Sequence, residues 1–228
     1  MRISLMSKII LIVAAHTDDE ALGCGGTIAR HVDHGDIVHA IFITDGISSR
    51  AKKNKEEFNR RINAANSAHK ILGISEVHHL NLPDNQLDTL PFLSLVKKIE
   101  KLIYKLSPQV IFTHHHGDLN IDHRITHQAV MTAVRPTPKN TVKEILAFEV
   151  LSSTEWQTPN KLPFLPDTYI DISKYLKTKI RAVQSYDLEM HPIPHSRSIK
   201  HVEYLAYHRG LSVGTVAAEA FMTIRRII

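Results

Sequence analysis

The sequence predicts a three-layer α/β fold, a mostly parallel sheet with helices on both faces, and three observations carry that prediction. Apolar runs of strand length alternate with longer segments of helical period as far as about residue 134. The first run, residues 8–15 (KIILIVAA), is apolar and β-branched at most positions, the pattern of a central strand covered on both faces. The histidine- and acid-rich segments at 16–20, Asp45 and 114–127 each fall just after such a run. Open parallel sheets gather their reactive groups at that edge.

The elements follow in order. After the first strand a helix is expected over about 20–34, ended by Gly35-Asp36. Ile37–Thr44 (IVHAIFIT) is the second strand, and it runs into a loop at Asp45-Gly46. Lys55–Leu72 has helical spacing and stops at Gly73; a short strand around 77–80 and a Pro-Asp-Asn loop come next. Pro91 opens a helix that Ser107-Pro108 ends after Leu106. Residues 109–114 (QVIFTH) form the next buried strand, and 122–134 the helix after its loop. From Lys143 the pattern is mixed, with a strand to Val150, a short strand near 169–171 and a helix from about Ser173. This alternation predicts right-handed crossovers and a Rossmann-like arrangement. No repeat or linker divides the 228 residues, so a single domain over 1–228 is expected.

Composition narrows the function classes. Hydrophobic residues at 43% and charged residues at 22% are those of a soluble globular chain, which excludes a disordered or low-complexity protein. The formal charge of +5 raises the question of a polyanionic partner. The densest basic run, Lys52, Lys53, Lys55, Arg60 and Arg61, also holds Glu56 and Glu57, and a solvated helix face accounts for it. No nucleic-acid partner is expected. The lone Cys24 excludes an intramolecular disulfide and a Cys-rich zinc site, fits a reducing cytoplasm, and leaves zinc to His and carboxylate ligands. Near the start Arg2 precedes apolar residues, but Lys8 interrupts them, and the run at 9–15 is too short to span a membrane. No stable membrane insertion is expected, and assembly into a homo-oligomer stays open.

His16-Thr17-Asp18-Asp19-Glu20 packs an imidazole and three carboxylates at a strand-to-helix turn. Such carboxylates repel one another unless a positive group lies among them, and a divalent cation would supply it. Helix capping is the rival account of the acids, but it assigns no role to His16. The second segment, 114–123 with His127 one helical turn on, brings further imidazoles and carboxylates to the same sheet edge and favours a mononuclear zinc site.

Ala15-His16-Thr17-Asp18-Asp19-Glu20, followed by Leu22-Gly23-Cys24-Gly25-Gly26-Thr27, resembles the A-H-P-D-D-E…G-C-G-G-T opening of the LmbE/PIG-L deacetylase family. Asn120-Ile121-Asp122-His123-Arg124 with His127 is similar to its H-x-D-H-R-x-x-H motif. Pro194-His195-Ser196-Arg197-Ser198 and Ala218-Glu219-Ala220-Phe221 resemble its P-H-P-R-S and A-E-A-F stretches. The resemblance implies an LmbE-like fold and a zinc-dependent N-deacetylase acting on an amino sugar or small glycoconjugate of the N-acetylglucosamine type. It implies His16, Asp19 and His123 as zinc ligands and Asp18 as general base. Thr17 stands where the family has proline, Asn120 where it has histidine, and Ser196 where it has a second proline.

Zinc with three protein ligands and an open position activates water and polarises an amide carbonyl. His195 is the candidate for stabilising the oxyanion and protonating the departing amine; the plain alternative is a loop histidine beside two prolines. Arg50, Asp84, Asn120 and Glu149 are candidate sugar contacts, with surface ion pairs or turn acids as the alternative, and Trp156 is either a stacking platform or core. Three rivals stay in view. A dinucleotide site would need glycine where Ile28 stands. A metal-dependent sugar binder without turnover has no use for Asp18, and a phosphoesterase would call for a second metal.

Overall fold

The computed structural model describes residues 7–46, 55–138, 140–158 and 161–228. Its centre is a seven-stranded sheet in the order β3-β2-β1-β4-β5-β7-β6. The first five positions are parallel: β1 (Ile9–Ala14), β2 (Ile37–Thr44), β3 (Glu76–Leu82), β4 (Val110–His114) and β5 (Glu144–Phe148). Strand order therefore reverses between β1 and β4, and loops leaving these two neighbours diverge to open a crevice.

Alternate side chains of the central strands feed two cores, as period-2 geometry requires. Ile10, Ile12, Phe42 and Phe112 face α1 (Asp19–Asp33), α2 (Lys55–Leu72), α5 (Leu176–Ser185) and α6 (Ile199–Leu211). Leu11, Val13, Ile41 and Ile111 face α3 (Phe92–Leu106) and α4 (Ile121–Ala133). In α3 the buried residues Leu95, Val96, Ile99, Ile103 and Leu106 form one stripe. The helix stops where Ser107 turns left-handed at φ 50° ahead of Pro108, its N–H donating back to the Ile103 carbonyl at 2.8 Å.

The far edge departs from the expected pattern. β7 (Ala218–Arg226) inserts antiparallel between β5 and β6 (Thr168–Asp171), and β6 pairs antiparallel with β7. Neither β7 nor α6 carries a strong local signal. AEAFMTIRR mixes helix-favouring and strand-favouring residues, so its pairing is decided by its neighbours. Only Val202, Ala206 and Gly210 of α6 are buried, a stripe one residue wide. Gly210 is needed there, because a Cβ would lie 2.6 Å from the Ala217 backbone.

α1 departs as well. Its turns are not continuous, since Cys24 has φ −144° and ψ 23°. No helix among the described residues is long and apolar enough to cross a membrane.

Candidate active site

The loops after β1 and β4 meet at the crevice. At the end of β1 the Ala15 N–H donates to Nε2 of His114 at 2.8 Å, and the His16 N–H to Oδ2 of Asp19 at 2.9 Å. Asp18 has φ 117°, a backbone position rare for a residue with a side chain. Its carbonyl accepts the first N–H bonds of α1, but its side chain makes no capping bond. The carboxylate is bound instead by Nη1 of Arg197 at 2.6 Å. On the other loop, Asn120 caps α4: its side-chain oxygen accepts from the N–H groups of Asp122 at 2.8 Å and His123 at 3.4 Å. Asp122 in turn accepts from the Asn85 and Leu87 amides.

These bonds aim three donor atoms at one point. Nδ1 of His16 is 3.2 Å from Oδ2 of Asp19 and 3.2 Å from Nε2 of His123, and the last two atoms are 3.4 Å apart. Ligands bound tetrahedrally to zinc at ~2.05 Å stand about 3.3 Å from each other, so the triangle has the dimensions of one face of such a site. Oδ1 of Asp19, the carboxylate oxygen outside this triangle, is buried without a hydrogen-bond partner. The outer nitrogen of each imidazole faces a carboxylate, as metal-binding histidines require. Nε2 of His16 lies 3.0 Å from Asp84 and 3.4 Å from Asp122, and Nδ1 of His123 lies 3.2 Å from Asp118. Asp118 is itself held by the hydroxyls of Ser153 and Thr154.

Two further donor groups, His114 with Asp118 and His123, and His16 with Asp84 and Asp122, overlap the first. They are read better as its support. Nε2 of His114 already accepts the Ala15 N–H, and its ring stacks on His123 at 3.9 Å. The outer nitrogens of His16 and His123 point away from the shared centre toward the carboxylates named above.

The electrostatics agree. Burial lowers the His16 imidazole, yet the surrounding Asp122, Asp19 and Asp84 carry it well above its ordinary range. Burial opposes protonation of His123 too, but Asp19 and Asp118 bring it up to about 9. Asp19 is driven well below the carboxylate range, against burial, chiefly by His123 and His114. Asp118 falls to about 2, again against burial, through His123 and Ser153. A pocket that recruits protons onto two facing imidazoles is one that calls for positive charge.

The remaining predicted residues are distributed unevenly. Asp84 is buried against His16. Asn120 is engaged in its cap and in a bond to Asn85, and Glu149 is held bidentately by Arg209 at 2.8 and 2.9 Å. Trp156 is 52% exposed, and its ring meets that of His195 edge-on at 6.0 Å. His195 is exposed, and its Nδ1 accepts the Arg197 N–H at 3.0 Å, which leaves Nε2 as the proton-bearing nitrogen of the neutral ring. Arg50 lies outside the described residues.

Sequence reasoning overlooked Arg197, the mostly buried cation on Asp18, although it belongs to the stretch that drew attention to His195. Asp118 was overlooked too. A cavity of about 400 Å³ opens beside Thr17 between the ends of β2 and β3 and α2; Asp45, Arg61, Asn66, His79 and Asn81 line its polar side.

Comparison with known proteins identifies the family. Residues 11–134 match the family described as PIG-L, GlcNAc-PI de-N-acetylase. The chain is 29% identical to the uncharacterized deacetylase YaiS of Escherichia coli over 191 residues, 78% of this chain and 90% of that protein. It is 26% identical to the diacetylchitobiose deacetylase of Thermococcus kodakarensis over 201 residues, 79% and 69% of the two chains. The structure of GalB, a 4-carboxy-2-hydroxymuconate hydratase from Pseudomonas putida, superimposes with a TM-score of 0.77 at 20% identity, covering 97% and 98% of the chains; that likeness is one of fold. With more than half of its length matched by the family, and with the motifs of both loops assembled at one crevice, the chain belongs to the PIG-L (LmbE) family of de-N-acetylases.

Proposed function

We propose that this protein is a zinc-dependent hydrolase removing the N-acetyl group of an amino sugar or small glycoconjugate. The observation that carries the reading is the donor triangle of His16, Asp19 and His123 with the non-capping carboxylate of Asp18 beside it. A zinc ion held by those three residues would supply a Lewis acid for the amide carbonyl and make water nucleophilic near neutral pH.

The chain's own groups do the rest. Asp18 accepts the proton of the attacking water, and Arg197 holds its Oδ2 so that the other oxygen, buried without a hydrogen-bond partner, is the one available. His195 Nε2–H donates a hydrogen bond to the developing oxyanion, its ring oriented through Nδ1 by the Arg197 N–H, and the proton taken up by Asp18 passes to the departing amine. Asp84, Asp122 and Asp118 fix the imidazoles rather than the sugar. The sugar and its extension fit the cavity beside Thr17, whose mixed lining suits hydroxyls on one side and ring faces on Phe58 and Ile62 on the other. Trp156, half exposed and edge-on to His195, offers a further stacking face. The diacetylchitobiose deacetylase relative supports this substrate class.

Acetate release from N-acetylglucosamine, its short β-linked oligomers and simple N-acetylated glycosides tests the reading, with zinc-loaded and chelator-treated protein in parallel. Zinc-dependent acetate release is expected. Release unaffected by complete metal removal, or phosphatase activity with no acetate release, would refute it.

A further inference from the structure

We infer that the buried pair Lys179–Glu219 positions the metal-holding turn by replacing a backbone hydrogen bond inside α1; the inference rests on the metal reading above. In an unbroken helix the Gly26 N–H donates to the carbonyl of Leu22. Here the Gly26 N–H donates to Oε1 of Glu219 at 2.9 Å, and the Thr27 N–H to Oε2 at 2.7 Å. The Leu22 carbonyl accepts from Nζ of Lys179 at 2.7 Å, and Lys179 closes the circuit by donating to Glu219. The ion pair is thus inserted into the helix at the point where Cys24 leaves helical geometry.

Glycines let the segment around the break pack closely, one of them against Lys179 itself. A Cβ on Gly25 would touch Cγ of Lys179 at 3.4 Å, one on Gly26 would come within 2.7 Å of Ile172, and one on Gly23 within 2.4 Å of the Phe148 ring. The motif Gly23-Cys24-Gly25-Gly26 therefore serves a bend as well as close packing.

The bend isolates a short segment. Asp19–Gly23 is bounded by the positive φ of Asp18 on one side and by the Cys24 break on the other, so its direction is not inherited from the rest of α1. That segment carries Asp19, and the turn before it carries His16 and Asp18. Lys179 and Glu219 reach it from α5 and β7, and not from the two loops that supply the donor atoms. Stability alone does not account for the pair. Both side chains are about 4% exposed, and an apolar pair of equal volume commonly stabilises a core as well or better. An apolar pair would, however, leave the N–H groups and the carbonyl of the break unsatisfied.

The test compares wild type with Glu219→Gln, Lys179→Arg and Leu95→Ala, the last a cavity variant in the core on the opposite face. Zinc affinity is measured by chelator competition, and the Co²⁺-substituted proteins are examined by visible absorption, all well below each Tm. Glu219→Gln is expected to weaken zinc by roughly tenfold or more and to alter the Co²⁺ bands, as loss of a supporting contact to a ligand does. Lys179→Arg, which keeps the charge but displaces the donor from Leu22, is expected to alter the bands too, and it carries the test if Glu219→Gln does not fold. Leu95→Ala is expected to lower Tm while keeping wild-type affinity. Folded brace variants with unchanged affinity and bands, or Leu95→Ala losing zinc in step with its Tm, would overturn the inference while leaving the metal site standing. A wild-type protein that binds no zinc would overturn both.

Discussion

Asp18→Asn separates base from scaffold. Asparagine preserves the size of the side chain, tolerates positive φ better than most residues, and keeps an oxygen that can accept from Arg197. Asp18 makes no side-chain capping bond, so no cap is lost. The structural cost is the exchange of a charge-assisted hydrogen bond for a neutral one at a buried site, about 1–2 kcal/mol. For a chain of this size that corresponds to a Tm lower by roughly 2–8 °C. The chemical cost is much larger, because the amide cannot take the water proton: turnover should fall roughly 10²–10⁴-fold. Zinc should remain bound, since Asp18 is not among the three converging donors. The assay is steady-state acetate release with zinc content and thermal melts measured on the same samples. Turnover within a few-fold of wild type in a zinc-replete, folded Asp18→Asn protein would refute the base assignment.

Other perturbations bear on other parts of the site. His16→Ala, Asp19→Ala and His123→Ala should each lose most bound zinc by elemental analysis, since each removes one corner of the triangle. Arg197→Ala should slow turnover more than it raises KM, because the guanidinium orients Asp18, and Arg197→Lys should restore only part of the rate, as a lysine cannot bond Asp18 and Ser152 together. Gly26→Ala should destabilise by about 1–3 kcal/mol in chemical denaturation, because the branched side chain of Ile172 leaves no room for a methyl group. Burial holds His69 at about 4, below its unfolded value near 6.5, so the unfolded chain binds the extra proton. Its effect on stability is absent above pH 6.5 and grows as pH falls toward 4, to roughly 3 kcal/mol lost. His69→Phe, which keeps the stack on Phe42, should lessen the drop in Tm between pH 7 and 4.5.

The parts of this structure that a reader could find in the sequence are those whose signal is local. The parallel strands β1, β2 and β4 are predominantly apolar runs, and Gly35-Asp36 and Ser107-Pro108 each end a helix. His16, Asp19 and His123 are singled out by the family resemblance of two short motifs, and both motifs lie at strand ends, which the topology brings together. What local signals do not carry is partnership across the fold. β7 shows no clear preference until β5 and β6 flank it. Residues 19–33 look like one helix because nothing nearby announces that Lys179 and Glu219, some 150 and 190 positions away, will enter it. Arg197 was passed over for the same reason: its importance lies in Asp18, 179 residues earlier in the chain.

Charge ties these distant partners together. The crevice buries Asp18, Asp19, Asp84, Asp118 and Asp122, all at most 4% exposed, within a low-dielectric enclosure that cannot leave them unbalanced. The fold answers one with a guanidinium and the others with imidazoles, and the two answers are not equivalent. Arg197 keeps its charge at any pH the protein meets, so Asp18 is oriented permanently and its partner cannot compete for the proton it must accept. His16 and His123 are charged only while protonated, and the nitrogens that face each other across 3.2 Å repel when both carry protons. A divalent cation bound by the facing nitrogens would remove that repulsion and leave each outer nitrogen free to donate to its carboxylate. The same acidic surroundings would make the crevice favour a cation over an anion. The short segment from Asp19 to Gly23, held from outside by Lys179 and Glu219, is what keeps the donors aimed while that exchange takes place.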